Sequence, residues 1–131
     1  MSHVSKRRLG EKQEKELIRN FDLVLIKISK EIEMQGFLEA LLTPTERIML
    51  AKRLAIVVLL KEGIPQSTIS NILSVTQATV SRMQLFLEAR GGGYDVALKK
   101  LASEKVLNEF KKYLLKIANY SVRAAGGYVK P

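Results

Sequence analysis

The sequence predicts an all-α fold built around a helix-turn-helix. Three observations point there. Apolar residues recur at helical spacing along most of the chain, no stretch alternates as a half-buried strand would, and one neutral segment carries two short apolar patterns joined at a tight corner. The chain has 131 residues, 47% hydrophobic and 27% charged, a balance expected of one folded domain with arms rather than of a disordered chain.

The elements follow in order. Residues 1–9 read as a flexible basic arm; no apolar core follows its basic residues, so it is not a secretory signal. Residues 10–95 form the helical domain that holds the motif. Its first helix carries Leu17, Phe21, Val24, Ile28 and Ile32 at spacings of four, three, four and four, one stripe of period 3.6. Gly36 interrupts that stripe, and "FLEALL" reads as a short second helix. "LLTPTER" then marks a clear helix start: Thr43 as N-cap, Pro44 in the first helical position and Glu46 three residues after the cap, a capping box. The helix it opens buries Ile48, Ala51, Leu54 and Val58 and stops at Gly63. "GGGYD" after residue 90 is a joint or turn. Residues 96–120 form one or more basic C-terminal helices, with Leu98, Leu101, Val106, Phe110, Leu114 and Ile117 as the apolar stripe and the lysines mostly off it. Residues 121–131 are expected to be a flexible tail.

Composition removes several classes of function. The absence of cysteine excludes disulfides, thiolate metal sites and cysteine nucleophiles. The single histidine, His3, lies in the polar arm, so no metal site is expected. "LAIVVLL", the longest apolar run, is far too short to span a bilayer, and a cytoplasmic protein with no membrane partner is expected. With no phosphate loop and no usable His or Cys base, the chain is not expected to be an enzyme. Net charge is +9 overall, but +3 in residues 1–20, 0 in 21–60, +1 in 61–90 and +5 in 91–131. A surplus concentrated at the ends fits the electrostatic footprint of a polyanion partner, and charge alone fits solubilising lysines on exposed helix faces equally well.

The segment "GIPQSTISNILSVTQATVS" holds no charged side chain. Ile69 and Leu73 mark a first short helix, Ser74 the corner, and Val75 an apolar plug. Val80, Met83 and Leu87 mark the buried side of a second helix, capped by Thr76. This is the spacing of a DNA-binding helix-turn-helix over about residues 65–87. Ser74 stands at a corner where glycine is common, which costs stability if the backbone there is left-handed. Charged groups bind phosphate anywhere along DNA; hydroxyls and amides make positioned contacts, and glutamine can read adenine's edge. Gln77, Ala78, Ser81 and Gln84 are therefore the candidates to face the major groove. Ser67, Ser70 and Thr76 are candidates for phosphate contact. The basic ends supply sequence-independent attraction; replacing Lys111 and Lys112 should affect all sequences alike or none.

Three features in order, "LLTPTER", an arginine ten residues before a glycine in "RLAIVVLLKEG", and "ATVSR" in the second motif helix, resemble the tryptophan-repressor superfamily. "GGGYD" is most similar to its YerC/YecD group. The resemblance covers roughly Phe37 to Asp95 at motif level, with the helix before it fitting by pattern. It implies an intertwined, all-helical homodimer whose two reading heads enter successive major grooves of a palindromic operator, and so a repressor-like transcriptional regulator of double-stranded DNA. It also implies an effector site at Thr43, Arg53 and Arg82, with L-tryptophan as the candidate corepressor and no cofactor required. Met83 stands where the repressor has a glycine against the indole. The alternative is a helical dimer that binds nucleic acid with low specificity, either as an architectural DNA binder or on RNA, with no regulatory ligand. RNA readers usually offer stacking aromatics, and aromatics are only 6% here. The helix after residue 102 lies beyond the resemblance; it either lies along DNA flanking the site or caps the core of the dimer, and the second is favoured because its apolar residues need a surface to bury against.

Overall fold

The long apolar stripe predicted to form one helix through Ile32 breaks in the middle. A computed structural model describes residues 8–124, with side chains described through Asn119; residues 1–7 and 125–131, most of the expected basic arm and tail, lie outside the described residues. Seven helices are present among the described residues, with no strand. They are α1 (Glu11–Lys27), α2 (Glu31–Leu41), α3 (Pro44–Lys61), α4 (Gln66–Leu73), α5 (Gln77–Arg90), α6 (Gly92–Ala102) and α7 (Val106–Ala124). No helix among them is long and apolar enough to cross a membrane. The chain divides into two compact units, Met1–Arg47 and Ile48–Pro131, with the boundary inside α3.

In the first unit, α1 opens on Gly10, whose N–H donates to Gln13 Oε1 at 2.9 Å. It closes at Ile28, which turns extended at φ −93° and ψ 107°. The charges explain the break: Lys27 suits a helix C-terminus, and Glu31 and Glu33 suit a new N-terminus. Gly36, expected to interrupt, lies inside α2, which tolerates it. Neither α1 nor α2 contains a buried residue. The capping box at α3 forms as expected. Thr43 N–H donates to Glu46 Oε1 at 2.9 Å, and Glu46 N–H donates to Thr43 Oγ1 at 3.1 Å. The Thr43 backbone N–H, with its hydroxyl contributing, lowers the Glu46 pKa to about 2. Because the folded pKa is depressed, this contribution to stability is present at neutral pH and is lost as pH falls from about 4.5 towards 2.

The second unit holds the core. Ala55, Ile56, Val58 and Leu59 of α3 pack with Ile69, Ile72 and Leu73 of α4, Val80 of α5, and Leu107 and Leu114 of α7. Gly63 ends α3 at φ +79°. Its N–H reaches Leu60 O at 3.0 Å while Ile64 N–H reaches Leu59 O at 3.1 Å, the paired bonds of a Schellman stop.

Three expectations for the C-terminal part change. Among the glycines only Gly91 forms the turn; Gly92 and Gly93 begin α6. A Cβ on Gly91 would lie 2.3 Å from the Leu87 carbonyl oxygen, so this position requires glycine. The stripe of the last helix starts at Leu107 rather than Val106, which is 56% exposed. Lys105, left-handed at φ 65°, ends one helical phase and starts another. The surface these residues need lies in their own chain, on the core shared by α3 and α4.

Candidate nucleic-acid interface

The corner between α4 and α5 is built from backbone geometry first. Ser74 adopts the left-handed conformation, φ 53° and ψ 51°, and its N–H bonds back to the Ser70 carbonyl. Val75 N–H reaches the same oxygen at 3.1 Å. Ser70 Oγ donates to Val75 O at 2.6 Å, and Lys52 Nζ donates to Ser74 O at 3.4 Å. A left-handed non-glycine residue costs about 1–2 kcal/mol, partly offset in glycine by its larger entropy loss. Ser74→Gly is therefore expected to stabilise the protein by about 0.5–1 kcal/mol, read as a rise in thermal midpoint; an unchanged or lower midpoint would show the corner is not strained.

Thr76 caps α5 as the sequence predicts. Its hydroxyl accepts from Thr79 N–H at 3.1 Å and lies 2.8 Å from Thr79 Oγ1. Gln77 and Ala78 then stand exposed in the first turn of α5, and Ser67 stands exposed in the first turn of α4. These positions, with Thr76, form the open, neutral end of the motif.

The other three polar candidates are placed differently. Ser70 spends its proton on the corner. Ser81 and Gln84, expected on the open face, turn towards α4 and are half-buried. Ser81 Oγ donates to Gln66 Oε1 at 2.6 Å, Gln66 Nε2 donates to Gln84 Oε1, and Gln84 Nε2 lies 3.5 Å from Glu88 Oε1. Gln66 is the residue that sequence reasoning missed. Nothing in local periodicity links it to partners 15 and 18 positions away.

Behind α5 lies a cavity of about 480 Å³. Arg53 and Arg82, two of the three effector candidates, line it together with Lys52. Met49, Ile56, Val75, Met83 and Phe86 supply apolar walls. Three cations over an apolar floor suit a small carboxylate with a hydrophobic body. Thr43, the third candidate, belongs to the first unit, where it caps α3.

Among the described residues, three lysines of the second unit have acidic partners. Lys61 Nζ lies 2.6 Å from Asp95 Oδ1, Lys111 pairs with Glu62, and Lys112 lies 3.7 Å from Glu109.

A family model described as Trp repressor protein matches residues 15–102. No curated protein and no solved structure matches the chain.

Proposed function

The chain belongs to the Trp repressor protein family, whose members are helix-turn-helix DNA-binding regulators, and we propose that it acts as a homodimeric, repressor-type regulator that reads a palindromic operator. The observation that carries this reading is the α4–α5 pair, with a left-handed corner at Ser74 and the uncharged Gln77 and Ala78 exposed at the start of the second helix. Helix N-termini and small hydroxyls position phosphates, and a glutamine at the start of the second helix can read an adenine edge. Ser67 and Thr76 are the phosphate contacts in this reading. Its setting is the cytoplasm, where the DNA is.

The homodimer rests on the first unit. Leu17, Ile18, Phe21 and Val24 are 61%, 59%, 45% and 48% exposed on one helix. So large an apolar stripe on a single chain favours a partner, and a second copy supplies the matching stripe. The cavity beside Arg53 and Arg82 is the effector site in this reading, with L-tryptophan as the first ligand to try. Met83 lines that cavity, and its flexible thioether narrows the space for an indole.

The test is selection of binding sites from a random duplex DNA library at near-physiological salt, with and without L-tryptophan. Enrichment of a palindrome supports the reading, and dependence on tryptophan assigns the ligand. Enrichment of nothing in both conditions overturns it. Gln77→Ala is expected to reduce discrimination at one base pair in each half-site by about 1–3 kcal/mol, measured by competition between the selected site and its single-base variants. One observation favours a second reading. With Ser81 and Gln84 engaged by Gln66, few amides remain to read bases, as a low-specificity DNA or RNA binder requires. That reading expects equal affinity for unrelated sequences and a steep salt dependence.

A further inference from the structure

The apolar contacts between α4 and α5 hold the helices together but do not fix their angle, because hydrophobic association is non-directional. Hydrogen bonds are directional. One end of the helix pair is fixed at the corner, where Ser70 binds the Val75 carbonyl. The other end is fixed by Gln66, the first residue of α4, through Ser81 and Gln84 of α5. Four positions of α4 separate Ser70 from Gln66, roughly 6 Å of lever at 1.5 Å per residue.

The direction of the clasp is also determined. Amide orientation follows from the network around it. If both glutamine amides were reversed, the Gln84 carbonyl would face the Glu88 carboxylate instead of donating an N–H to it. Glu88 thus selects the arrangement in which the Gln66 carbonyl accepts the Ser81 proton. The Ser81 hydroxyl has one proton, and it is spent inside the protein.

We infer that Gln66 is a positioning residue for DNA reading: it sets the angle of the recognition helix and withdraws Ser81 and Gln84 from the bases, leaving direct readout to the first turn at Gln77 and Ala78. This rests on the DNA-binding reading above. It adds that the polar groups of α5 are divided between two tasks, the first turn serving the ligand and the middle of the helix serving the clasp.

The experiment compares the full chain with Ser81→Ala, Gln66→Met, Gln66→Glu and the double variant Gln66→Met with Ser81→Ala. Each is put through the random duplex selection, with thermal unfolding recorded in parallel. The expected result has three parts. Ser81→Ala enriches the same site as the parent with unchanged base preferences. Gln66→Met frees the Ser81 hydroxyl and alters preference at one base pair in each half-site by roughly tenfold, within the range of a gained or lost base contact; adding Ser81→Ala removes the part of that change made by the hydroxyl and leaves the part made by the helix angle. Gln66→Glu keeps the acceptor for the Ser81 proton, so Ser81 stays withdrawn and the parental preferences are kept while all DNA is bound more weakly through the added negative charge.

A merely structural Gln66 would lower the unfolding midpoint and weaken binding to every sequence alike, and that result overturns the inference. So does a loss of base preference in Ser81→Ala alone. If Gln66→Met does not fold, Ser81→Ala and Gln66→Glu decide between the same outcomes. If the parent chain enriches no site, the DNA-reading function fails and this inference falls with it. Enrichment by the parent with a changed preference in Ser81→Ala instead sinks the clasp and leaves the DNA-reading function standing.

Discussion

Replacing Leu114 by alanine is expected to destabilise the protein by about 2–5 kcal/mol, the cost of removing a large buried side chain from a core that relaxes only in part. Leu114 is 2% exposed and belongs to the same cluster as Ile56 of α3, Ile69 of α4 and Val80 of α5. It also lies beyond residues 15–102, the stretch that the family model matches. The last helix is thus part of the scaffold that holds the reading head. Thermal or urea unfolding measures the loss. Loss of DNA binding should follow the loss of folded protein and be restored by lowering the temperature. A cost under about 0.5 kcal/mol, the range of a surface change, would mean that α7 is only draped on the unit.

The second large effect is expected at Phe21. Within a single chain Phe21 is 45% exposed, which leaves much of its apolar surface open to a partner. In a homodimer that buries α1, truncating a buried phenylalanine costs about 3–5 kcal/mol, and two-fold symmetry places the loss in both subunits. At about 1.4 kcal/mol per factor of ten, dimer dissociation should then become easier by more than a hundredfold. Sedimentation across a dilution series reads the shift directly. A variant that stays dimeric at the same dilution as the parent would remove α1 from the interface.

The parts of the fold written in local grammar were legible. The Thr43–Glu46 box, the Gly63 stop, the Thr76 cap and the corner at Ser74 each depend on residues within a few positions of one another. The helix-turn-helix followed, because its two short stripes are joined by that corner. What failed to show depends on a change of helical phase or on distance in sequence. The stripe through Leu17 and Ile32 looked continuous because a short extended break at Ile28 preserves the spacing. Leu107 was mistaken for Val106 because one left-handed residue, Lys105, resets the phase. Ser81 and Gln84 were assigned to the open face because helical spacing alone does not show where a long polar side chain finds its partner. Gln66, which decides the matter, carries no local signature at all. The pairing of Arg53 with Arg82 in one cavity was legible only through family resemblance, since 29 positions separate them in the chain.

The ion pairs of the second unit also bear on how the protein would respond to electrolyte. Lys61 and Lys111 are two of the 22 basic side chains, and Asp95 and Glu62, two of the 13 acidic ones, face them at close range. Cation release from a duplex reflects the phosphates a protein neutralises, about 0.9 ion for each contact in B-form DNA. Lysines already matched by a carboxylate contribute little to that release. The number of phosphates this protein neutralises should therefore be smaller than its count of basic side chains suggests, and these two lysines should add little to the salt dependence of its binding.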